Sequence, residues 1–186
     1  MSFATRHDPA MDYRPAHPDD APALARLGRE SFADAFGHLY RPEDLAAFLD
    51  EVHDEDRVRA QIEGPECRHL LAVDDDGALV GYIKLRHPSA FTDLSTAKDP
   101  LELSQLYCAS SATGRGIGAR LTEWALAEAE TGGHDAIHLS VYSENLGAQR
   151  FYARYGFEWA ADTTFRVGEQ LDREYLFERR LAGESE

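Results

Sequence analysis

The sequence predicts an α/β fold: one mixed sheet with helices on both faces. Three observations predict it. Apolar residues recur at helical spacing over Ala21–Val52 and alternate at strand spacing from Arg68 onward. The two periods then interleave as β-α-β-α-β-β up to Arg180. Finally, the stretch Leu101–Leu121 runs from an apolar strand through a glycine turn into a helix, a connection typical of α/β proteins.

Each element has its own signal. Met11–Pro15 is a candidate first strand, and Asp19 or Asp20 is a candidate cap for a helix over Ala21–Phe36. Leu24, Leu27, Ser31 and Phe32 form its stripe, and Gly37 ends it. Pro42 suits the first turn of a second helix with Leu45, Phe48, Leu49 and Val52 on its apolar face. Arg57–Ile62 reads as a further helical turn, and Gly64-Pro65 as punctuation. Arg68–Val73 and Ala78–Leu85 are strands joined by the hairpin turn Asp74–Gly77. That acid run lacks the ligand pattern and closing Glu of a calcium loop. After the polar loop Pro88–Pro100 comes the strand Leu101–Cys108. Ile117, Leu121, Trp124 and Ala125 mark one face of a helix ending near Thr131, stopped by Gly132-Gly133. Ile137, Leu139 and Val141 alternate as a strand with His138 and Ser140 opposite. Phe157–Thr164 and Arg173–Arg180 supply the last two strands.

Composition narrows the function. At 186 residues a single domain over 1–186 is expected, with 1–10 and 183–186 as frayed ends. A net charge of −15 without a basic stripe argues against nucleic acid and anionic lipid and favours cationic partners. Met1–Pro9 has no apolar signal core and no run is long enough to span a bilayer, so a cytoplasmic protein is expected. Cys67 and Cys108 make no disulfide framework, and the eight histidines show no metal-ligand spacing along the chain, so no metal is expected. A homodimer is the default oligomeric expectation.

The glycine turn Gly114, Gly116 and Gly118 opens the helix that begins near Ile117. Without a Cβ the backbone can approach a ligand closely. The first helical N–H groups lack intrahelical partners, and the helix dipole places about half a positive charge there. A phosphate or pyrophosphate is the natural occupant. No Gly-Lys-Ser/Thr triplet is present for a Walker A loop. Gly114, Gly116 and Ala119 fit a dinucleotide fingerprint, but five residues intervene after Cys108. Asp135 and Glu144 also stand in the wrong places for its acidic residue. A turn without a ligand is the plain alternative.

Downstream, NLGAQRFYARYGF at Asn145–Phe157 is a short helix with Asn145 as N-cap and Gly156 as a left-handed stop. Ala148, Phe151, Tyr152 and Tyr155 share one face. The pair TGRGIGARL and NLGAQRFYARYGF resembles the Gcn5-related N-acetyltransferases, the GNAT superfamily, from about Val80 to Phe177. The resemblance implies the GNAT fold, a mixed, mostly antiparallel twisted sheet of about six to seven strands. It also implies acetyl-coenzyme A as cosubstrate. The pyrophosphate would lie on Thr113, Gly114, Arg115, Gly116, Ile117, Gly118 and Ala119, and the pantetheine arm beside Asn145, Ala148 and Tyr152. Main-chain donors at Leu106, Tyr107 and Cys108 would serve the thioester carbonyl. Thr113 stands where the family usually has Gln or Arg.

Acetyl transfer from a thioester to an amine needs a base for the ammonium, a donor for the carbonyl oxygen and a proton for the thiolate. Tyr152 matches the family's acid, and a phenol of pKa about 10 stays protonated at neutral pH. Packing alone would also account for it. Glu102 is the candidate base: alternation places it with Ser104, Leu106 and Cys108 on one face, and some family members carry a catalytic Glu at this strand position. A surface ion pair or a water chain are its alternatives. Cys108 reads as a small buried residue rather than a nucleophile.

More loosely, SFADAF before a Pro-Glu helix, LELSQLY and FRVGEQLD resemble the PaiA-type polyamine acetyltransferases. That implies spermidine or spermine as acceptor and a direct transfer in a ternary complex. Protein N-termini or lysines are the alternative amines. A non-catalytic acetyl-coenzyme A module and a nucleotide-dependent oxidoreductase are the readings from other classes.

Overall fold

The structure is a computed structural model and describes residues 11–181. The expectations for Met1–Pro9 and Gly183–Glu186 lie outside the described residues. Seven strands form one sheet: β1 (Asp12–Pro15), β2 (Cys67–Val73), β3 (Leu79–Arg86), β4 (Pro100–Cys108), β5 (Ala136–Tyr142), β6 (Glu158–Val167) and β7 (Gln170–Arg180). Their spatial order is β1-β2-β3-β4-β5-β7-β6. Every neighbouring pair is antiparallel except β4 and β5. That single parallel pair follows from the crossover helix α4 (Ile117–Thr131) between them, since a parallel return needs a long connection.

Helix α4 lies on one face, and its buried residues Ile117, Leu121, Ala125 and Ala129 meet Ile83, Leu85, Ile137 and Leu139 in the main core. The opposite face carries α1 (Ala21–Phe36), α2 (Pro42–Val52) and α3 (Glu55–Glu63). Leu24 and Leu27 of α1 pack on Leu71 and Tyr82, as their stripe predicts. Phe32 and Phe48 meet Val167 and Phe165 of the β6–β7 hairpin in a separate aromatic cluster. Asp20 takes the N-cap position of α1 without capping it. Its carboxylate instead accepts from Arg14 at 2.8 Å and from the His17 amide at 2.7 Å. The acid run Asp74–Asp76 is a turn, with Asp74 Oδ1 accepting from the Ala78 amide at 2.8 Å. The last two strands are longer than their sequence signals, because each supplies the other's ladder through Val167 and Gln170.

Candidate active site

The sheet splits at its centre. β4 and β5 pair only between Pro100–Glu102 and Ala136–His138. Beyond that, β4 continues against β3 as far as Cys108, and β5 against β7 as far as Tyr142. The two inner edges diverge, and their main-chain donors and acceptors are left for some other partner. A cavity of about 410 Å³ fills the gap. Leu103–Tyr107 line one side of it and Leu139–Tyr142 the other. Short helix α5 (Leu146–Ala153) adds Ala148 and Tyr152, its cap Asn145 joins them, and the aromatic cluster of α1, α2 and β6 closes the far wall.

A bulge in β4 changes which side chains face this space. Gln105 pairs with Lys84 and Leu103 with Leu85, so Ser104 is an extra residue in the ladder. Glu102 therefore shares a face with Gln105 and Tyr107, opposite Arg86, Lys84 and Tyr82. Leu106 and Cys108 face the other way, with Ile83 and Gly81. This corrects the simple alternation, which put Glu102, Leu106 and Cys108 together. Ser104 carries no glycine or proline signature, so the sequence does not mark the bulge.

Glu102 lines the cavity and is only 4 % exposed. Its Oε2 accepts from Arg86 Nη2 at 2.7 Å and from the Ala90 amide at 2.8 Å. Tyr152 also lines the cavity. Burial, and secondarily the Cys108 thiol, push its phenol well above the ordinary tyrosine range, so it holds its proton at neutral pH. Tyr107 is raised likewise, by burial and then by the charge of Glu174. Burial raises the Cys108 thiol, which makes it a poor nucleophile. Asn145 Oδ1 accepts from the Ala148 amide at 3.0 Å, so its capping role is met.

The glycine turn follows β4 just outside this cavity. Gly114 and Gly116 have φ of 82° and 75°, the left-handed region that favours glycine. A Cβ on either would meet nothing within 4 Å, so the space in front of them is open. Gly118 is helical and lies beside Phe151 of α5 instead. The first helical bond runs from the Arg120 amide to Gly116 O at 3.1 Å, which leaves the Ile117, Gly118 and Ala119 amides without intrahelical acceptors. Thr113, extended at ψ 141°, and Arg115 flank them. Open space, free amides and a helix dipole fit an anionic group such as a pyrophosphate.

Two further features were not singled out from the sequence. Glu174 of β7 faces the cavity, and burial raises its carboxyl above the usual range. Strand alternation places it with Leu176, but only the fold shows that this face is covered by helices. His87, Asp99 and His134, distant in sequence, converge in space. His87 Nε2 lies 2.7 Å from Asp99 Oδ1 and His134 Nδ1 lies 3.1 Å from Asp99 Oδ2. Spacing along the chain hides this cluster of metal-ligand types; imidazole–carboxylate contacts already satisfy it, and they hold Asp99 below the usual carboxylate range.

A sheet opened between two parallel strands, next to a helix opened by glycines, leaves a space whose shape fits an extended ligand with an anionic end, and a phenol and carboxylates line that space. The sequence pattern of the Acetyltransferase (GNAT) family matches residues 30–157. An uncharacterised N-acetyltransferase from the pepI 3′ region of Lactobacillus delbrueckii subsp. lactis is 31% identical over 163 residues, covering 87% of this chain and 92% of that protein. Among solved structures, PaiA N-acetyltransferase from Thermoplasma acidophilum with coenzyme A superposes with a TM-score of 0.75 at 21% identity, covering 92% and 99% of the two chains. Arabidopsis thaliana NAA60 with acetyl-CoA superposes at 0.73 and 18% identity, covering 94% and 100%. The chain belongs to the GNAT family and is an acetyl-coenzyme A-dependent N-acetyltransferase. No helix among the described residues is long and apolar enough to cross a membrane.

Proposed function

We propose that the chain acetylates a primary amine of polyamine type directly, with both substrates bound at once in the gap between β4 and β5. The observation that carries this reading is the split sheet: one continuous space lies between the Tyr152 end of α5 and a wall of aromatic rings and carboxylates. Bound acetyl-coenzyme A supplies the acetyl group as a thioester.

The chain's own residues divide the remaining work. The amides of Ile117, Gly118 and Ala119, with Gly114 and Gly116, hold the pyrophosphate, and Thr113 and Arg115 stand beside it. Main-chain groups of Leu106, Tyr107 and Cys108, on the edge that β5 leaves unpaired, orient the thioester end. Ala148 and the capped Asn145 border the same arm. Tyr152, protonated and buried, gives its proton to the departing thiolate. The rings of Phe32, Phe36, Tyr40 and Phe48 line the acceptor end and suit a cationic alkyl chain. The net charge of −15 steers such a cation inward. The segments SFADAF, LELSQLY and FRVGEQLD, which resemble PaiA-type polyamine acetyltransferases, support a polyamine over a peptide amine.

Two measurements test this reading. Acetyl-coenzyme A should raise the melting temperature, and NAD(P) and ATP should not. Thiol release should then depend on an added amine, with spermidine and spermine ahead of lysine and N-terminal peptides. Release with peptides alone would reassign the acceptor.

A further inference from the structure

The cavity holds a second carboxylate besides Glu102, and its surroundings differ in kind. Residues paired across a ladder share a face, so Tyr142 and Glu174 stand together on the β5–β7 ladder. Ser140 and Leu176, and then His138 and Glu178, follow on the same face. His138 in turn pairs with Glu102. Glu102 and Glu174 thus border one helix-covered face, on opposite sides of the split.

Their partners set them apart. Glu102 Oε2 already accepts from a guanidinium and an amide. The Glu174 carboxyl has the Ser140 hydroxyl as a partner, and its Oε2 is buried with no hydrogen-bond partner among the described residues. We propose that Glu174, rather than Glu102, is the carboxylate that receives the acceptor's ammonium group and takes its proton. This inference rests on the amine-acetylation reading above.

A buried, unpartnered carboxylate oxygen is costly unless a donor arrives, and an ammonium is such a donor. The groups around Glu174 favour that exchange. Tyr107 of β4, Tyr142 of β5 and Tyr40 from the turn after α1 face it as neutral phenols raised by burial. Asp172, two residues away on the same strand, is the charge that acts on it, and it raises the carboxyl further; Ser140 offsets part of the rise. Of the cations lining the cavity, Arg86 is committed to Glu102, and burial lowers Lys84 to about 8; Arg57 is the third. A carboxyl raised by burial and a neighbouring anion is a better proton acceptor than an ordinary carboxylate.

The step balances. The ammonium passes one proton to the Glu174 carboxylate and becomes a neutral amine. Its lone pair forms the nitrogen–carbon bond as the carbon–sulfur bond breaks. Tyr152 protonates the leaving sulfur and recovers a proton from the new amide nitrogen. Glu174 releases its proton to solvent, so the net products are the amide, the free thiol and one proton.

The test is the pH dependence of kcat/KM for an amine, followed by thiol release, in the wild type, Glu174→Gln, Glu174→Asp and Glu102→Gln. Acetyl-coenzyme A affinity is measured in each. Glu174→Gln should lower kcat/KM roughly 100-fold or more and erase the acidic limb, with cosubstrate affinity unchanged. Glu174→Asp should keep the limb at reduced rate, and Glu102→Gln should keep it in place. The assignment falls if Glu174→Gln retains the limb, if Glu102→Gln removes it, or if Glu174→Gln no longer binds acetyl-coenzyme A. A wild type that binds acetyl-coenzyme A yet releases no thiol with any amine overturns the amine reading itself, and the role of Glu174 with it.

Discussion

Replacing Gly168 with alanine tests how the β6–β7 hairpin is locked over the acceptor end. Gly168 has φ of 57°, and a Cβ there would lie 2.2 Å from Asp44 Oδ1 and 2.6 Å from Asp44 Cα. Asp44 cannot easily retreat. It is 4 % exposed, and its carboxylate accepts from Arg41 Nε at 2.7 Å and from the Glu169 amide at 2.8 Å. A left-handed alanine costs about 1–2 kcal/mol. Overpacking adds about 1–3 kcal/mol. The sum, about 2–5 kcal/mol, corresponds to a fall in Tm of about 4–20 °C for a chain of this size. Gly77→Ala is the control: its φ is 80°, but its Cβ would meet nothing within 4 Å. It should lose only the strain component, about 2–8 °C. Thermal melts read the difference. Because the hairpin carries Phe165 and Val167 into the Phe32–Phe48 cluster, Gly168→Ala should also raise the amine KM and leave acetyl-coenzyme A affinity alone. Equal losses of Tm in the two variants would refute the packing argument.

Two other outcomes are expected. Tyr152→Phe should lower kcat by about 10²–10⁴-fold with acetyl-coenzyme A affinity intact, and an unchanged kcat would remove Tyr152 from the chemistry. Burial holds His53 and His69 down at about 4, against an ordinary value of 6.5. The unfolded chain then binds protons below 6.5 while the folded chain does not. Stability is complete above pH 6.5 and is lost as pH falls toward 4, by up to about 3 kcal/mol per histidine. Urea midpoints measured across that range should fall with pH, and His69→Asn should flatten the slope; a flat wild-type profile would contradict the burial of both rings.

The recognisable parts of this protein were those whose physics is local. Gly114 and Gly116 before Ile117, the Asn145 cap and the aromatic stripe of α5 depend on backbone freedom, orphan amides and helical period, all written in consecutive residues. Strands β1 to β5, the Asp74–Gly77 hairpin and the helix limits of α1, α2 and α4 follow from the same short-range rules. The bulge at Ser104 was different. It arises from how β4 must match β3, so Glu102 changed neighbours through a register that no run of residues encodes. Glu174 and the His87–Asp99–His134 cluster are also products of assembly. Their environment is set by which sheet face the helices cover and by where distant loops meet. The sequence by itself determined the strand, the glycine turn and the helix with its free first amides, because these need only neighbours along the chain. Tertiary structure alone decided which carboxylate oxygen stands unpartnered in the gap, because desolvation and charge pairing depend on atoms that the chain brings close only when folded.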